Sequence, residues 1–107
     1  MIPSNSESDL LKSLLEPLLD DFQYWFERSR TLLEENEIAF MDSEQQADLL
    51  ARVLSAQQEV ATVQSLFKLT DKQVGVDTAV MASWHRLVHE CWQVAHRFRQ
   101  EQASWGG

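Results

Sequence analysis

Between Leu49 and Phe67 the apolar residues Leu49, Val53, Ala56, Val60, Val63 and Phe67 recur at steps of four, three, four, three and four. That spacing holds them on one side of an α-helix, whereas a strand would scatter them over both faces. Two further stretches share the pattern. From Ser8 to Glu35, the residues Leu11, Leu14, Leu15, Leu18, Phe22, Trp25, Phe26, Leu32 and Leu33 fall within an arc of roughly 120°. After Asp77, an arc holds Val80, Trp84, Leu87, Val88, Cys91, Val94, Ala95 and Phe98. With three glycines and two prolines, the chain has little of the turn chemistry that a sandwich or barrel needs. The expected fold is all-α: an antiparallel up-down-up bundle of three long helices in one domain spanning 1–107, with residues 1–7 and 103–107 as frayed ends. The connections are expected at Asn36–Met41 and Leu69–Val76, lengths that suit antiparallel neighbours.

Pro17 falls inside the first arc, and proline ordinarily kinks or ends a helix. The apolar arc nevertheless keeps its phase across Pro17, which projects outside it, so one continuous helix with proline on its convex side is expected. The second helix should open at Asp42 or Ser43, with Ser43 and Gln46 at capping-box spacing. A second apolar line, Leu50, Leu54 and Ala61, lies beside the main stripe, and Gln46, Gln57 and Gln64 project between the two. Asp77 is the expected cap of the third helix, which should reach about Gln102.

The formal net charge of −8 is unevenly placed: residues 1–50 hold twelve acids and three bases, hence −9, and residues 51–107 come to +1. Such a balance disfavours nucleic-acid backbone, which calls for clustered Lys and Arg, and an anionic membrane surface. No apolar run approaches the roughly eighteen residues of a membrane span. The single Cys91 suits a reducing compartment, and the first residues lack the basic and apolar parts of a signal peptide. A cytoplasmic protein is expected.

All three histidines belong to the third helix, and His85, His89 and His96 form a stripe along the edge of its apolar arc, with Trp92 beside them. His85 and His89, four apart, could reach one metal ion, but a catalytic zinc takes three protein ligands and a structural one four. His96 is roughly 10 Å further along the axis, and Cys91 points nearly the opposite way from His89. The Glu-x-x-His spacing of di-iron bundles is missing, since Ala82, Arg86 and Gln93 precede the three histidines by three. The expectation is three half-buried histidines bonded to neighbours such as the glutamine line, with no cofactor. A glycine-rich phosphate loop and a Gly-x-Ser-x-Gly elbow are also missing. Cys91 reads as a packing residue, and Trp25, Trp84 and Trp92 as core or edge of core, with Trp105 exposed.

The segments running from Leu14 to Ser29 (LLEPLLDDFQYWFERS) and from His89 to Arg99 (HECWQVAHRFR), together with Gln73–Asp77, resemble a small family of cyanobacterial proteins known only as a domain of unknown function. The resemblance spans about Leu10 to Gln102. It implies a cyanobacterial cytoplasm and carries over no functional residue.

Two functions follow from the residues. The first is a non-enzymatic, acidic helical module that docks on a protein with a basic patch through the outer surface of helix one, where Asp20, Asp21, Tyr24 and Arg28 are the candidate contacts. The second is a small-ligand, pigment or metal carrier using the histidine stripe.

Overall fold

In the computed structural model residues 3–70 and 76–106 are described, with side chains for residue 10 and for residues 13–70 and 76–104. Three helices follow one another: α1, Pro3–Glu35; α2, Ser43–Leu69; and α3, Thr78–Gly106. No strand occurs among the described residues. The up-down-up order is read from cross-helix partners. Asp20 meets Gln64 and Glu27 meets Gln57, so α1 and α2 are antiparallel. Arg52 meets Glu90 and Glu59 meets Trp84, so α2 and α3 are antiparallel. Phe22 meets Trp84 and Trp25 meets Trp92, so α1 and α3 run the same way.

α1 is continuous through Pro17, which is exposed. The lost hydrogen bond belongs to the carbonyl of Ser13, one turn earlier and also exposed, so water can take the vacated acceptor. Both outer helices run beyond the expected ends, α1 from Pro3 and α3 to Gly106. Proline suits the first turn of a helix, and no glycine or proline intervenes between Gln102 and Gly106. The cap of α2 is Asp42 rather than Ser43: its carboxylate accepts from the Gln45 backbone at 2.7 Å, and the Gln45 side chain accepts from the Asp42 backbone at 2.9 Å. Replacing Asp42 by alanine removes both halves of this box and should cost about 1 kcal/mol in a denaturant melt, whereas Ser43→Ala should cost a few tenths at most. Asp77 caps α3 as expected, its carboxylate accepting from Ala79 N–H at 2.8 Å.

The α2 stripe is the spine of the core. Leu49, Val53, Ala56, Val60 and Phe67 are buried, and Val63 packs against them. α1 contributes Leu19, Phe22, Phe26 and Leu33, and α3 contributes Trp84, Val88 and Cys91. Leu54 and Ala61 of the second α2 line are exposed. Two corrections concern α1. Leu19 is core although it falls outside the expected arc, while Leu14 and Leu18, inside that arc, are 58% and 38% exposed. The cause is the stagger of the helices. Six residues back from the Phe22–Trp84 contact, Thr78 at the start of α3 is level with Glu16, so the first turns of α1 stand beyond the bundle. The molecule is accordingly 63 Å long but only 25 by 20 Å across. Leu11, Trp105 and Gln73–Gly75 of the expected pattern lie outside the described residues or side chains.

The connection between α1 and α2 is part of the core. Ile38 is fully buried, Phe40 and Met41 pack on the cluster, and the Arg97 guanidinium of α3 lies 4.1 Å from the centre of the Phe40 ring. Gln46 ties the segment down. Its Nε2 donates to the carbonyls of Leu33 at 2.8 Å and Asn36 at 2.7 Å, and its Oε1 accepts from Ile38 N–H at 3.1 Å. One amide thereby satisfies carbonyls left over at the end of α1 together with the amide of the inserted isoleucine.

Candidate functional site

The glutamine line faces α1. Gln23 reaches the Gln57 carbonyl at 3.0 Å, Gln57 donates to Glu27 at 3.2 Å, and Gln64 donates to Asp20 at 2.9 Å. These bonds account for Gln46, Gln57 and Gln64 without the histidines. His85, His89 and His96 are exposed rather than half-buried, a correction to the expected side-chain network. They project just outside the α1-facing edge of α3, where no side chain closes over them. Among the described residues no three His, Cys, Asp or Glu side chains gather as a metal site would require. His85 and His89 therefore stand as a pair on an open face.

Asp20 and Asp21 point to different sides. Asp20 belongs to the α1–α2 seam through Gln64, whereas Asp21 is exposed on the other edge of α1. That second edge has a clear order: Leu14, Leu18, Asp21, Trp25, Arg28 and Leu32 recur at steps of four, three, four, three and four. Trp25 meets Trp92 of α3 edge-on with ring centroids 5.3 Å apart, and Tyr24 meets Trp25 edge-on at 5.0 Å. The Arg28 guanidinium lies 5.7 Å from the Tyr24 ring and 5.8 Å from the Trp25 ring, and donates to the Tyr24 hydroxyl at 3.1 Å. Below these rings an open groove of about 320 Å³ runs between α1 and α3, with Leu32, Ala95 and Cys91 in its lining and Arg28 and Arg99 at its sides. Ser29 is occupied, donating to the Trp25 carbonyl at 2.9 Å. Burial pushes the Cys91 thiol up from its ordinary value, so it stays protonated and weakly nucleophilic.

The charges distinguish this groove from its neighbour. A second groove, between α2 and α3, is lined by Arg52, Glu59, Trp84 and Glu90 among others. Apart from Arg86, its charged groups are already matched. Arg52 forks onto Glu90 at 2.9 and 2.7 Å and also reaches Asp48 at 3.0 Å, and Glu59 accepts from the Trp84 indole at 2.8 Å. The hydrogen bonds from Arg52 hold the Glu90 carboxyl below its usual range. In the α1–α3 groove, by contrast, neither Arg28 nor Arg99 meets a carboxylate among the described residues, although Arg30, Arg52 and Arg97 each do. The groove offers the rings of Trp25 and Trp92 and two guanidinium groups that meet no carboxylate among the described residues. Such a set is suited to contact with a partner surface.

The profile described as "Protein of unknown function (DUF2605)" matches residues 5–100. The chain belongs to the DUF2605 family. No curated protein and no solved structure matches it. Among the described residues of this DUF2605 protein, no helix is long and apolar enough to cross a membrane.

Tyr24 and Arg28 were legible as candidates from their spacing, but Trp25, Trp92 and Arg99 were not. Trp25 belongs to an apolar arc and Trp92 flanks one, so each alone reads as edge of core. Their joint role depends on α1 and α3 running in parallel at this level.

Proposed function

We propose that this protein is a non-enzymatic protein-binding module of the cyanobacterial cytoplasm, and that its contact surface is the α1–α3 face. The observation that carries the reading is the cluster of exposed Tyr24, Trp92 and Arg28 around the half-buried Trp25, over an open groove. Tryptophan, tyrosine and arginine are the residues that most often dominate binding energy at interfaces. Trp92 in particular is 45% exposed, although a bundle gains by burying an indole. The cyanobacterial setting is supported by the resemblance drawn from Leu14–Ser29 and His89–Arg99, and a reducing compartment by the lone buried Cys91.

The acidity of the first half is partly structural. Asp42 caps α2, Glu27 and Glu34 hold Arg30, Asp48 holds Arg52, and Asp20 holds Gln64. Glu16, Asp21, Glu35, Glu37 and Glu44 remain on the surface with no such partner among the described residues. With a formal net charge of −8 the molecule as a whole carries a negative field, which favours a partner with a basic patch and quickens its association at low salt.

The test is affinity capture from cell extract, followed by titration of the purified partner. Trp92→Ala should weaken binding at least tenfold, as loss of an interface anchor does. Its own melting should change by less than about 1 kcal/mol, because the residue is half-exposed. Asp20→Asn should leave affinity unchanged, since that side chain faces α2. Equal affinity of wild type and Trp92→Ala would sink the assignment of the surface. Recovery of a bound small molecule and no protein would put the carrier reading in its place.

A further inference from the structure

We propose that the α1–α3 face pairs with a second copy of this chain, the two α1 helices lying antiparallel about a twofold axis at Trp25. This rests on the reading that the face is a binding surface and names its occupant.

The argument starts from charge. Asp21 and Arg28 occupy one edge of α1, seven residues and therefore about 10 Å apart, on either side of Trp25. Both are exposed, neither meets an opposite charge among the described residues, and the distance is too long for them to pair with each other. An antiparallel copy centred on Trp25 puts Asp21 of each chain opposite Arg28 of the other. One contact, made twice, satisfies all four groups, as an isologous interface requires.

The apolar residues of the edge agree with the same register. Leu18 comes opposite Leu32 of the second copy, and the two Trp25 rings come to the axis, each backed by its own Trp92. Leu18 is 38% exposed and Leu32 half-buried, so each has surface to lose. Leu14, exposed because α3 starts only near the level of Glu16, extends the strip beyond Leu18. Arg99 flanks the groove at the Leu32 end, on the side where Asp21 of the second copy comes to lie. From Leu14 to Leu32 the strip is about 27 Å long. With α3 alongside, it is two helices wide, which is the scale of the smaller specific interfaces. A charge pattern that repels when the copies are parallel and attracts when they are antiparallel also selects the orientation.

The experiment is sedimentation of the purified full chain from low to high micromolar concentration. Wild type should show a reversible monomer–dimer equilibrium. Asp21→Arg and Arg28→Glu should each weaken it at least tenfold, because every cross-pair becomes a like-charge pair. An equimolar mixture of the two variants should dimerise again, since each reversed group then meets an opposite charge. Both positions are exposed, so circular dichroism, and melting at concentrations where wild type is monomeric, should match wild type. A wild type that stays monomeric, a dimer indifferent to either reversal, or a mixture that does not recover would each overturn the proposal. If the wild type is monomeric while a different protein is held through Trp92, self-pairing falls and the binding module stands. If neither is found, both fall.

Discussion

Replacing Trp84 by alanine should destabilise the protein by about 3–5 kcal/mol, the range for deleting a large buried aromatic side chain. Trp84 is 1% exposed and meets Phe22 edge-on at 5.4 Å between ring centroids. Val88 and Cys91 continue its face along α3, so the cavity left by the indole would open at the meeting point of all three helices. Its Nε1–H donates to Glu59 at 2.8 Å, which gives a buried indole the partner it needs. Trp84→Phe should recover most of the packing and lose that bond, for a cost nearer 1–2 kcal/mol. Denaturant melts with unchanged slope would measure both losses. A loss under about 1 kcal/mol for the alanine variant would mean that this face of α3 is not core.

Gln46→Ala is the second large effect, expected at about 2–4 kcal/mol. The side chain holds three backbone groups at once: the carbonyls of Leu33 and Asn36 and the amide of Ile38. A buried polar group left without a partner costs about 1–3 kcal/mol, and Ile38 is fully buried. Gln46→Glu should be destabilising at neutral pH as well, because an ionised carboxylate can accept from Ile38 but cannot donate to the two carbonyls. The local signature is amide exchange. The Ile38 amide should lose its protection in Gln46→Ala while amides in the middle of α2 keep theirs, apart from the global loss. Full protection at Ile38 in the alanine variant would show that the glutamine does not hold the turn.

The three helices were open to reading from local sequence because helical phase is a local property. Leu49, Val53, Ala56, Val60 and Phe67 share a side of α2 whatever lies next to it, and that side is buried. The unbroken phase across Pro17 likewise predicted one α1, and Asp77 was recognisable as a cap from its chemistry alone. The cap of α2 was harder, since Asp42–Gln45 and Ser43–Gln46 have equal spacing. Gln46 was drawn off by the end of α1, thirteen and ten residues back in the chain, so Asp42 took the box.

What the sequence by itself determined, then, is which residues share a helix face; what covers each face was decided only by the tertiary structure. Leu14, Leu18 and Phe22 belong to one apolar arc, yet Phe22 is core and the two leucines are exposed, because Leu14 lies beyond the level at which α3 begins and Leu18 only beside its first turn. Leu19 is buried because α2 approaches α1 on the side away from α3. Ile38 reads as a loop residue and is core, since the turn folds back over the bundle end. His85, His89 and His96 were expected under cover, and no neighbouring element reaches their side of α3. Trp25 and Trp92 are sixty-seven residues apart, and nothing local in either segment encodes their meeting. Periodicity is set within one turn by backbone geometry, whereas burial depends on the offset between helices, a long-range quantity fixed by the summed packing of the whole core.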